Sequence, residues 1–264
     1  MNRSFICLLA AILLLQFQVA FSQQDSDSIK ITAPVTIPDS FQVKHKPLWG
    51  YQTIISAALF SYGLVALNSG TLKDWNKSIE EDIWVKHPHG KTHLDNFLQY
   101  SPAIAVYGLN LAGIKGKNNL RDRTIIYGIS TIIMGSATEF TKKVSKEWRP
   151  DVSDRQSFPS GHTATAFAAA EFMRQEYKDV SPWYGIAGYT AAIATGYLRM
   201  YNNKHWLSDI VGGAGVGILS TDIAYWVYPS VKRWLFKKDR PSSTVVLPYY
   251  QQGGLGLGLV HTFK

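Results

Sequence analysis

The chain has 264 residues, enough for one large domain, and its 27 lysines and arginines outnumber 19 acidic residues, giving a net charge of +8. That balance suits an anionic substrate or an anionic membrane surface; no nucleic-acid-binding motif accompanies it, so nucleic acid is not expected as a partner. The single cysteine, Cys7, leaves nothing with which to form an internal disulfide.

In chain order, Met1-Asn2-Arg3 precedes a short apolar run from Phe5 to Leu15, and Ala20-Phe21-Ser22 places small residues where a signal peptidase needs them. Residues 1–22 are therefore expected to be a signal peptide, removed together with Cys7. Residues 23–47 read as a polar, extended lead-in, because Pro34, Pro38 and Pro47 discourage helix. From Leu48 the chain reads as a helical array. Its weakly charged stretches are 48–72, 96–114, 124–138, 163–173, 182–198 and 208–228. The expectation is an all-α domain over 48–240, a bundle of about six apolar helices. Gly212, Gly213, Gly215 and Gly217 predict helices packed at close range. The tail, 241–264, is β-like, with strands at 245–248 and 255–260.

Several helices approach the length needed to cross a bilayer, yet they contain Gln52, Gln99, Asn110, Glu171 and Asp222. Spanning helices and a soluble periplasmic bundle both stay open on this reading. Lys115, Lys117, Arg121 and Arg123 lie between two apolar stretches, and Lys232, Arg233, Lys237, Lys238 and Arg240 follow the last. If both clusters are cytoplasmic, the motifs described next fall on the outer side. A cleaved signal followed by a crossing at 48–72 would invert that arrangement. The favoured expectation is a membrane-associated envelope protein whose site faces the periplasm.

Three stretches converge on tetrahedral-anion chemistry. In the first, Lys142 and Arg149 bracket a basic loop ending in Pro150, with Glu139 one turn before Lys142 as its partner. In the second, Pro159-Ser160-Gly161-His162 stands directly before an alanine-rich helix. Its first-turn amides and helix dipole form an anion site, although an ordinary Ser N-cap would look the same in isolation. His162 at the lip of that site can protonate a leaving oxygen. In the third, Arg199 precedes His205 and Asp209. Four residues apart on a helix, His205 and Asp209 would share a face, and the carboxylate would fix the tautomer of an attacking imidazole. The planar guanidinium of Arg199 suits phosphate oxygens.

Together these residues resemble the type-2 phosphatidic acid phosphatase and vanadium haloperoxidase superfamily, over about residues 48–230. The family pattern is Lys, six residues, Arg-Pro; Pro-Ser-Gly-His; then Ser-Arg, five residues, His, three residues, Asp. The chain departs from it only at Leu198, where the family usually has Ser. The resemblance implies that His205 is the nucleophile forming a phosphohistidine, that Asp209 orients it and that His162 is the general acid. It also implies that Lys142, Arg149, Ser160, Gly161 and Arg199 hold the phosphate oxygens, with no metal or other cofactor. The expected substrate is a phospholipid or lipid-linked phosphate, of lipid A, undecaprenyl pyrophosphate, phosphatidylglycerophosphate or phosphatidic acid type.

Other readings compete. A soluble acid phosphatase of broad specificity, or an envelope protein that binds phosphate without turnover, would carry the same motifs. A haloperoxidase uses the same cradle, but a compact exported chain fits the phosphatase relatives better. His87, His89 and His93 form a separate cluster; zinc there would want carboxylate or thiolate partners at ligand spacing, and Asp82 and Asp95 are near, but the segment reads as a polar connection between two apolar stretches.

Overall fold

Side-chain N-caps at Ser69, Asn119, Ser160 and Ser181 open four of the helices. The structure is a computed structural model that describes residues 51–236, 244–251 and 254–261. The expected signal peptide, Cys7 and the polar lead-in lie outside the described residues. Within them are eight α-helices: α1 Tyr51–Ala66, α2 Gly70–Glu80, α3 Leu94–Leu98, α4 Ser101–Leu111, α5 Leu120–Ser145, α6 Gly161–Tyr177, α7 Pro182–Tyr201 and α8 Leu207–Leu235. Asn119 caps α5, accepting from Asp122 N at 2.8 Å. Ser181 caps α7, with Pro182 in its first turn.

The all-α class agrees with the sequence, but the helix count exceeds six. The first apolar stretch breaks at Ser69, which caps α2, so that α1 and α2 with its π-helical extension meet at 94°. The charged connection that follows is not plain loop, because it folds into most of α2, the π-helical turn Glu81–Val85 and the short α3.

The described residues up to Ala224 form one compact unit. Its centre is α6, where Ala164, Ala166, Ala168, Ala169 and Ala170 are all fully buried. A helix apolar all round must be covered on every side. Glycine lets α8 do part of the covering. A Cβ on Gly217 would meet the α6 backbone at Ala164 O and Ala168 N. One on Gly215 would lie 2.5 Å from Phe60 N and 2.6 Å from Ser56 O of α1. The expected close packing is therefore present, with α8 in backbone contact with both neighbours.

The polar residues inside the apolar stretches answer one another. Arg174 donates to Glu171 and to Gln52, both at 2.5 Å. Tyr189 donates to Glu171 at 2.6 Å, and Gln175 to Asp222 at 3.2 Å. This network joins α1, α6, α7 and α8 near the C-terminal end of α6. Arg123, read above as one of a cluster of loop charges, is instead buried at 1% exposure and pairs with Glu176 at 3.7 Å.

The second unit, Tyr225–Lys264, holds the last turns of α8 and an antiparallel hairpin of β1, Thr244–Gln251, and β2, Gly254–His261. Val246 pairs with Leu259 in its register.

Candidate active site

Two glycines and a phenylalanine fix the central loop. A Cβ on Gly63 or Gly212 would strike the Phe158 ring, at 2.6 and 2.5 Å, so both helices are hollowed to receive it. The fully buried Phe158 thereby anchors Ser157 and Ser160 on either side. Ser160 is the N-cap of α6; its Oγ accepts from Thr163 Oγ1 at 2.9 Å, and its N–H donates to Asp209 O at 3.0 Å. The start of α6 is thus tied to the start of α8. Helix geometry leaves the amides of Gly161 and His162 without an intrahelical acceptor, at the positive end of the dipole. Lys142, in the last turn of α5, reaches this point, since a Cβ on Gly161 would lie 3.6 Å from its Nζ. Its expected partner Glu139 is 3.8 Å away.

His205 is buried at 3% exposure in the loop before α8, two residues short of the helix on which the sequence placed it. Asp209, in the first turn, is fully buried, and its Oδ2 lies 3.4 Å from His205 Nδ1. The same oxygen accepts shorter bonds from Ser157 Oγ, at 2.5 Å, and Trp206 N, at 2.9 Å. The carboxylate is held first by these two donors, and the imidazole rests against it at longer range. Trp206 also donates its indole N–H to Trp148 O at 2.7 Å, fastening the loop that carries Arg149. Arg149 Nε donates to Asp154 at 2.8 Å, and Arg199 Nη1 to the buried Asp95 at 2.5 Å. His162 Nε2 lies 2.9 Å from Asn96 Oδ1.

The electrostatics follow from crowding cations around buried rings. Burial first, then the charges of Arg199, Arg149, Lys142 and His162, holds the His205 imidazole well below its ordinary pKa. Burial, then Arg199, brings His162 down to about 4, and burial also lowers Lys142. Arg199 Nε is buried without an acceptor. A buried donor left unpaired is costly, as is a cluster of like charges, and a tetrahedral oxyanion placed among them would relieve both.

All eight residues singled out from the sequence lie on the elements that meet here. Three neighbours were missed. Ser157 carried a faint signal, two residues before Pro159-Ser160. Asp95 and Asn96 carried none, because only the course of the chain across α7 brings α3 here. Of the histidine cluster, His89 is used in packing: it stacks on Tyr201 with centroids 3.6 Å apart and places Nε2 2.8 Å from Tyr201 O, while the exposed His87 has Nδ1 2.7 Å from Asp82 O.

Residues 123–233 match the model of the PAP2 superfamily. Among similar proteins, a lipid A 1-phosphatase of Porphyromonas gingivalis is 40% identical over 137 residues, covering 52% of this chain and 31% of that protein. The chain thus spans under a third of that relative's length. A lipid phosphate phosphatase gamma of Arabidopsis thaliana is 25% identical over 186 residues, covering 59% of this chain and 82% of the relative. A transmembrane PAP2-type phosphatidylglycerolphosphate phosphatase of Bacillus subtilis aligns at a TM-score of 0.46 and 18% identity, over 70% of this chain and 100% of its own.

Proposed function

We propose that the chain is a metal-independent phosphatase that hydrolyses a phosphate monoester or pyrophosphate of a membrane lipid. The observation that carries this reading is the convergence of Lys142, Arg149 and Arg199 on a buried His205 ring whose low pKa leaves it neutral and nucleophilic. His205 attacks phosphorus as the bond to the leaving oxygen breaks, giving a phosphohistidine, and Asp209 steadies the ring. His162 gives a proton to the departing oxygen. It then takes one from the water whose oxygen displaces His205 and releases phosphate. Lys142, Arg149, Arg199, Ser160 and the Gly161 amide hold the equatorial oxygens, where charge gathers in the transition state. The anion itself lifts the His162 pKa from about 4 toward the working range, because it offsets Arg199, Lys142 and Arg149.

The names of the relatives support a lipid phosphate as substrate, and we place the protein at the envelope membrane with its site toward the periplasm. Exposed Ile104, Ile132, Phe140 and Val144 on α4 and α5 suit an apolar surrounding. A second reading, a broad-specificity soluble phosphatase of the periplasm, draws on α8. Among the described residues it is the one helix long and apolar enough to cross by itself, and 67% of its most apolar window is buried within the protein.

Phosphate release by purified protein should be compared for envelope lipids and a soluble aromatic phosphate, with a rapid quench for acid-labile phosphohistidine. Preference for lipid and label on His205 are expected. Label on a serine would overturn the nucleophile, and indifference to the lipid would favour the second reading.

A further inference from the structure

Asn96 comes from a part of the chain that lies before the family-matched residues 123–233. The segment leading to it is strapped along the end of α7. His89 stacks on Tyr201. Asn202, 4% exposed, clamps Thr92 twice, accepting from its N–H at 2.9 Å and donating to its carbonyl at 2.8 Å. Asp95 then takes Arg199. These three fastenings deliver the next side chain, Asn96, to His162 with Oδ1 2.9 Å from Nε2. Asn96 itself is solvent-exposed, so this placement owes nothing to core packing.

Resting on the proposed function, we propose that Asn96 is a positioning residue for proton transfer: its amide oxygen accepts from His162 Nε2–H and so commits Nδ1 to the leaving oxygen. With Nε2–H held, loss of the Nδ1 proton to the departing oxygen leaves the neutral tautomer whose Nδ1 lone pair can take the proton of the incoming water. One hydrogen bond thereby serves both halves of the reaction. Without it the ring is free to turn, and neutral His162 can carry its proton on either nitrogen. The charged groups that act on His162 are Arg199 of α7, Lys142 of α5, Arg149 of the following loop and Asp95 of α3, with His205 nearby. Asp95 alone among them favours the protonated ring.

The full-length protein with Asn96→Ala and Asn96→Asp tests this, using an alkyl phosphate and a nitrophenyl phosphate. Asn96→Ala should slow the alkyl ester about fivefold or more, the scale of one hydrogen bond, and the nitrophenyl ester much less, since its oxygen departs without help. The limb of the kcat/KM profile that reports His162 deprotonation should move to lower pH in Asn96→Ala and to higher pH in Asn96→Asp, where a carboxylate faces the ring. Equal losses on both esters with an unmoved limb would overturn the inference. Wild-type protein inactive on every ester would overturn the proposed function along with it, so the two failures are distinguishable.

Discussion

The two histidines titrate in a way that pH can read. Each has a folded pKa below the ordinary value of about 6.5, so the unfolded chain binds more protons than the folded one as pH falls through that value. Stability therefore rises with pH across the window from about 4 to 6.5 and falls on acidification through it. Thermal melts of wild type and His205→Asn, taken at intervals over that range, should show a shallower acid loss in the variant. Parallel curves would mean that His205 carries no such shift. In turnover, His205→Ala should abolish phosphate release with the fold intact. His162→Ala should slow alkyl esters far more than nitrophenyl esters, and equal losses on the two would count against His162 as the acid.

At the scale of elements, the glycines of α8 make the sharpest prediction. Gly217→Ala sets a Cβ against the α6 backbone, where nothing flexible can yield, and should cost about 1–3 kcal/mol or more by denaturant unfolding. Gly135→Ala on α5 meets nothing within 4 Å and should gain about 0.5–1 kcal/mol. A similar response at both positions would mean that α8 does not press on α6 as described. The α8 glycines and the alanines after His162 were legible because small residues at close spacing have few other uses in a helix. The same was true of the three motifs, whose chemistry is local to short runs. The strap from His89 to Asn96 was not legible. Its fastenings pair residues more than a hundred positions apart through backbone carbonyls and a carboxylate, and no periodicity records such pairings. Asp209 was expected to bond His205 and lies 3.4 Å from its ring, but the bonds that Ser157 and the Trp206 amide give the same oxygen are shorter and had no part in that expectation.

For the whole molecule, the three side-chain cations predict activity in excess chelator and inhibition by vanadate, whose five-coordinate geometry matches the transfer. Loss of activity with chelator, restored by zinc or magnesium, would contradict this. Topology can be read with introduced cysteines in the chain freed of Cys7. Val152, 67% exposed on the loop after Arg149, and Lys117, whose amide bonds Glu176 near the opposite end of α6, sit at the two ends of the unit. In intact cells an impermeant reagent should label Val152→Cys and spare Lys117→Cys. Labelling of both, with protein released by osmotic shock, would instead make it a soluble periplasmic enzyme.

The strap across α7 has a consequence for inheritance. The signature residues from Lys142 to Asp209 travel as one contiguous block, while the groups that steady Arg199 and His162 are encoded separately, upstream. Lineages could therefore retune which leaving groups they accept by exchanging a dozen residues before α4 without altering a signature position. Chimeras that transplant 86–98 between relatives would place that lever directly in the experimenter's hands.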